Sequence, residues 1–147
     1  MKRKNAGFTL IEIMVVIVII GLLATLVTIN VLPRAEQAKR TKAVADIKTL
    51  ESALELYKLD TGNYPTTDQG LKALTGKPTS GNVPRNYREG GYLNSSKVPL
   101  DPWHHEYLYI YPGSHGKYDI VSYGRDGEAG GEGEDADITS WNLEDSK

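Results

Sequence analysis

Cysteine is absent from these 147 residues, which excludes a disulfide framework. A small exported domain without disulfides needs another staple, such as a metal ion or assembly with copies of itself. Net charge is small as well, −2, and gives no support for a nucleic-acid partner. There is no glycine-rich phosphate loop ending in Gly-Lys-Ser/Thr, and no internal repeat of useful length. Formal charge is missing altogether from Ile13 to Leu32. As a helix that stretch spans ~30 Å, the hydrocarbon thickness of a bilayer.

What surrounds the uncharged run is informative. Lys2, Arg3 and Lys4 precede it, which places the N-terminus in the cytoplasm and the rest of the chain on the far side of a membrane. Glu12 lies near the start of the apolar segment, where a lone charge costs a few kcal/mol unless it is paired. An ordinary secretory signal does not fit. The apolar run is too long, no A-x-A-like site follows it, and the small residue Gly7 stands before it. Two readings remain on physical grounds: a plain single-pass anchor, or a helix cut after Gly7 whose new amino terminus becomes the partner of Glu12.

Beyond residue 33 roughly 110 residues remain, enough for one modest core. Ala43, Ile47, Leu50, Leu54 and Tyr57 recur at steps of four and three, which predicts an amphipathic helix over 35–60 with these residues inward. Gly62 and Asn63 stop it. Pro33 predicts a kink or a locally melted turn near 29–33. Residues 68–74 read as a short helix, 76–90 as a surface loop, and Pro99–Trp103 as a rigid corner. Glu106–Tyr111 and Lys117–Ser122 read as a hairpin around Pro112–Gly116. The fold class is α+β, one long helix, hydrophobic then amphipathic, packed on a small antiparallel sheet.

The segment 126–137 carries Asp126, Glu128, Glu132, Glu134, Asp135 and Asp137 among glycines. These carboxylates repel, and the glycines raise chain entropy. Either the loop is solvated and irregular, or a hard cation gathers its oxygens; calcium accepts six to eight of them on flexible loops. Asp126, Gly131 and Asp137 match the first, sixth and twelfth positions of an EF-hand, but Gly130 lacks a ligand and no second helix follows. Enzyme readings find little footing. His104 and His105 are adjacent and point to opposite faces of an extended segment. Ser114, His115 and Asp119 read as turn chemistry, because a triad is a matter of geometry. The chain reads as a non-enzyme.

Lys2-Arg3-Lys4-Asn5-Ala6-Gly7 followed by Phe8-Thr9-Leu10-Ile11-Glu12 resembles the class III signal of type IV pilins and pseudopilins. Tyr64-Pro65-Thr66-Thr67, Gln69-Gly70-Leu71, Asp101-Pro102-Trp103, Pro112-Gly113, His115-Gly116, Tyr118-Asp119 and Asp126-Gly127 through Asp137-Ile138 and Trp141 resemble the major pseudopilins of type II secretion systems over nearly the whole chain. The resemblance implies a type IV pilin-like fold with a cleaved leader (1–7), a transmembrane and filament-core helix (8–33) and a periplasmic globular domain (34–147). It implies cleavage between Gly7 and Phe8 and N-methylation of Phe8 by a prepilin peptidase and methyltransferase. Glu12 would pair with the Phe8 amine of a neighbouring subunit. It further implies one Ca2+ in the acidic loop. Asp126 and Asp137 would be the first ligands, Asp135 the next, with backbone oxygens near Tyr123, Glu128 and Gly133.

The same resemblance implies a Gram-negative bacterium and an inner-membrane, single-pass precursor. Its partners would be itself, minor pseudopilins and the inner-membrane platform with its cytoplasmic ATPase. The implied function is a periplasmic pseudopilus that drives folded proteins through an outer-membrane channel. The alternative is a surface type IV pilin for adhesion, motility or DNA uptake, which commonly closes a C-terminal loop with a disulfide. Two positions depart from the family pattern: Ile29, where relatives carry proline, and His104-His105, where they carry glycine and a small polar residue.

Overall fold

The computed structural model describes residues 7–144, and the side chains of these except at 25–33. The chain divides into two compact units, Met1–Glu36 and Gln37–Lys147. A single helix, α1 (Leu10–Thr61), begins in the first and ends in the second. The helical assignment runs through residue 33 without a break, so the locally melted turn expected there is not present. Proline removes one backbone donor but leaves the flanking turns to carry the ladder.

In the first unit every described side chain from Gly7 to Ala24 is exposed, Phe8 at 79% and Ile17 at 62%. A helix that is apolar on all sides is stable in lipid or against other apolar helices, not in water. Among the described residues no helix is long and apolar enough to cross a membrane. Much of the uncharged run from Ile13 to Leu32 lies outside those side chains.

The second unit is built on the amphipathic part of α1. Ala43, Ile47, Leu50, Leu54 and Tyr57 are all buried, as their spacing predicts, and each large one contributes about 1.5–3 kcal/mol by leaving water. Gly62, with φ 90°, takes the left-handed conformation that ends the helix, a conformation costly for any residue with a Cβ. The expected short helix at 68–74 is a single 3-10 turn, Leu71–Leu74, entered through Gly70 at φ 59°. It still delivers Leu71 and Leu74 to the core.

The sheet has three antiparallel strands in the order β1 (Leu108–Ile110), β2 (Asp119–Ser122), β3 (Ile138–Thr139). The expected hairpin is present but shorter than predicted, with Leu108 opposite Val121 and Ile110 opposite Asp119. The third strand, paired through Val121–Thr139 and Ser122–Ile138, makes β2 central, and all four β2 residues are buried. Tyrosines fill much of the space between helix and sheet, and their hydroxyls find partners at the rim. Tyr109 donates to the Pro65 carbonyl at 2.9 Å, and Tyr107 donates to Asp46 at 3.2 Å. Burial, then the Asp46 charge, pushes the Tyr107 hydroxyl well above its ordinary value.

Two buried carboxylates lock the turns around β2. Asp101 accepts hydrogen bonds from the Trp103 amide (3.0 Å), the His105 amide (2.8 Å) and the Ser122 hydroxyl (2.6 Å). Asp119 accepts from the Ser114 and His115 amides and faces His115 Nδ1 at 3.1 Å. Burial alone would raise the Asp119 pKa, but these bonds together hold it below the ordinary value. Asp101→Ala is expected to lower unfolding free energy by about 3 kcal/mol, since it strands several donors at once; chemical denaturation measures it. For Asp119 the depressed pKa means that its stabilisation is full above the unfolded value near ~3.9 and is lost as pH falls through the folded value. Asp119→Asn should therefore flatten the acid limb of the melting-temperature profile below about pH 4, and an unchanged acid limb would count against this role.

Candidate functional site

Two places carry the chemistry that the sequence singles out. The first is the helix entry. Gly7 and Phe8 precede α1 in exposed, non-helical backbone, the form in which a peptidase can engage a chain; residues 1–6 of the expected leader lie outside the described residues. Thr9 then caps the helix. The Glu12 amide approaches Thr9 Oγ1 at 3.3 Å, and the Glu12 carboxylate accepts from the Thr9 amide at 3.4 Å. This is the reciprocal Ser/Thr-x-x-Glu capping box, and it also sets an acid at the positive end of the helix dipole. In the single chain the Glu12 carboxylate therefore has a local partner, the Thr9 amide, held by one long bond.

The second place is the acidic loop between β2 and β3. Asp126 Oδ1 accepts from the Glu128 amide at 3.1 Å, forming a tight turn. Asp137 Oδ2 accepts from the Gly130 amide at 3.0 Å, and the Asp137 amide donates back to the Gly130 carbonyl. Asp137 Oδ1 is buried and has no hydrogen-bond partner, an arrangement that costs free energy unless something donates or coordinates there. Both oxygens of Asp135 are engaged by Arg125, at 2.8 and 3.2 Å, and the same guanidinium pairs with Glu134. Gly133 opens the 3-10 turn Gly133–Asp135, and its carbonyl accepts from the Ala136 amide at 3.4 Å. Tyr123 is half-buried at the loop entrance, while Glu128 is exposed.

The return limb is fixed from two sides. Arg40 on α1 donates to the Ala136 carbonyl at 2.8 Å. Gly131, at φ 80°, lies so close to the Asp135 carbonyl that a Cβ would sit 2.5 Å from it, so only glycine fits. Among the described residues no three acid or imidazole side chains converge as a metal-binding group. A cation here would thus rely on two carboxylates, Asp126 and Asp137, with main-chain oxygens completing the shell. Sequence reasoning nominated those two and Asp135, whose oxygens Arg125 engages instead, and it missed Arg125 and Arg40. The available signal for Arg125 was its isolation, since no other Lys or Arg occurs between Lys117 and Lys147. For Arg40 there was none.

The histidines take structural places. His104 holds φ 75°, the left-handed conformation natural to glycine. The His105 ring lies against Gly127, and its Nδ1 sits 3.6 Å from Asp101. The His115 ring stacks on Trp141 with centroids 3.8 Å apart, and its carboxylate partner Asp119 is committed to the Ser114–His115 turn.

Residues 2–28 match the prokaryotic N-terminal methylation motif, and residues 30–141 match the family described as type II secretion system (T2SS), protein G. The type II secretion system core protein G of Vibrio cholerae serotype O1 is 54% identical over 143 residues, covering 97% of this chain and 96% of that protein. The core protein G of Aeromonas hydrophila is 54% identical over 144 residues, covering 98% and 97%. A solved structure, the major pseudopilin of the type 2 secretion system of enterohaemorrhagic Escherichia coli, aligns with TM-score 0.65 and 44% identity, over 76% of this chain and 94% of that one. The chain belongs to the protein G family of type II secretion systems, the major pseudopilins.

Proposed function

We infer that this chain is the core structural subunit that polymerises into the pseudopilus of a type II secretion system, and that it works as a rod rather than as a catalyst. The observation that carries the reading is the exposed, all-round apolar helix from Leu10 onward, preceded by an accessible Gly7-Phe8 bond and bearing one acid, Glu12. The precursor crosses the inner membrane once, with its N-terminus in the cytoplasm and Gln37–Lys147 folded in the periplasm. A prepilin peptidase and methyltransferase cuts after Gly7 and methylates Phe8. The apolar helices then leave lipid for one another. The new Phe8 amine of one subunit offers Glu12 of the next a full positive charge, and the one long bond from the Thr9 amide is a weak competitor. Minor pseudopilins and the inner-membrane platform with its ATPase are the partners, and the ATPase supplies the work.

The acidic loop is read as a calcium site. Asp126 and Asp137 supply the charged oxygens, and the carbonyls of Tyr123, Glu128 and Gly133 supply neutral ones. The buried unpartnered Asp137 Oδ1 supports this fit, as does the hard, all-oxygen character of the donor set. The ion supplies positive charge that joins the two ends of the loop. The chain's own residues hold the limbs in place.

Glu12→Val is expected to leave the protein in the membrane fraction while reducing subunit association by about two to four orders of magnitude, the loss expected of a broken buried ion pair. Pseudopilus yield and exoprotein secretion read this, and normal filaments from the variant would overturn it. For the loop, the full chain in detergent should be stabilised by about 2.7 kcal/mol at calcium 100-fold above Kd. Melting curves with calcium or EDTA test it, and Asp126→Ala or Asp137→Ala should abolish the difference. A wild-type curve indifferent to EDTA sinks the calcium reading.

A further inference from the structure

Between Lys117 and Lys147 the chain holds one basic residue, Arg125, immediately before the run of six acids from Asp126 to Asp137. Its guanidinium grips Asp135 with two parallel bonds, Nε to Oδ1 at 2.8 Å and Nη2 to Oδ2 at 3.2 Å, while Nη1 takes Glu134. The contact spans nine and ten residues, so it ties the outgoing limb of the loop to the returning one. Isolated surface ion pairs contribute little, but a planar fork on one carboxylate with a second carboxylate on the remaining nitrogen is the geometry in which they do contribute.

The division of the acids follows. Glu134 and Asp135 share one guanidinium from within the chain, which offsets one of their two charges. Asp126 and Asp137 make only backbone contacts, and Asp137 keeps one buried oxygen empty-handed. We propose that Arg125 is a built-in cation for the acidic loop, a positioning residue that holds the Glu134–Asp135 limb in its calcium-ready path when calcium is absent. The proposal rests on the calcium reading of the same loop. It gives the ion a preformed site carrying two carboxylates, so binding does not have to order the loop against the repulsion of six. The backbone of the limb cooperates: Gly131 lies against the Asp135 carbonyl, and Arg40 anchors Ala136. Those contacts fix where the limb runs. Arg125 offsets half of the limb's charge, which would otherwise push it off that path.

Amide hydrogen exchange of segment 130–137 in the full chain, in detergent, tests this with and without calcium. The amides of Gly130, Asp135 and Asp137 are hydrogen-bonded within the loop and report its order. Wild type should be protected in EDTA. Arg125→Gln should exchange about tenfold faster in EDTA, the scale of one charge-assisted forked contact, and should regain wild-type protection in saturating calcium. Glu134→Gln/Asp135→Asn should reproduce the effect, and adding Arg125→Gln to that pair should change nothing further. Equal exchange of wild type and Arg125→Gln in EDTA overturns the proposal. So does faster exchange that calcium does not correct in a protein that binds it, because Arg125 would then be a general structural residue. Calorimetric titration of wild type with calcium judges the calcium reading separately, and absence of binding there leaves the EDTA comparison to decide on Arg125.

Discussion

Ala43, Ile47, Leu50, Leu54 and Tyr57 lie on one face of α1 and lose nearly all contact with solvent. In a unit without a disulfide, that face has to gather everything else. The 3-10 turn brings Leu71 and Leu74 to it, β2 brings Ile120, and β3 brings Ile138. Each of these pieces is too short to be stable alone: a single turn and strands of three, four and two residues. They persist because the helix face gives them a common apolar surface, which is how most short elements in proteins are stabilised. Losing cover at Leu50 or Leu54 would therefore loosen the sheet as well as the helix.

The accounting of carboxylates runs parallel to that of apolar surface. Asp101 and Asp119 are satisfied by backbone amides and by Ser122. Glu12 is met by the amide of its own helix cap, Thr9. In the acidic loop one guanidinium attends to two acids. Burial without partners is costly, and the buried acids Asp101 and Asp119 are met mainly by backbone amides. Among the described residues Asp137 Oδ1 is the buried carboxylate oxygen left without a hydrogen-bond partner.

The legibility of these features follows their range in the chain. The 43–57 face could be read because helical period is local and repeats four times within one segment. The hairpin could be read from two β-prone runs around a glycine-containing turn, although its ends were trimmed where pairing stopped. β3 could not, since Ile138–Thr139 is too short to show alternation and its partner Val121–Ser122 lies far back in sequence. The helix expected at 68–74 proved a single 3-10 turn, because composition does not count hydrogen bonds. Within the loop, Asp126 and Asp137 were visible as acids at its two ends. The engagement of Asp135 by Arg125 was not, because acidic residues were weighed against one another and not against the cation beside them.

Arg40 reaches the carbonyl of Ala136 across 96 residues. A contact of that separation closes a long loop, and the entropic cost of closure rises only slowly with length. It fastens the returning limb of the acidic loop to α1. A polypeptide clipped before Ala136 would retain the helix and the hairpin. It would lack the third strand, the Arg40 contact and Asp137 together. Losing the returning limb and losing β3 are therefore one event for this subunit, not two.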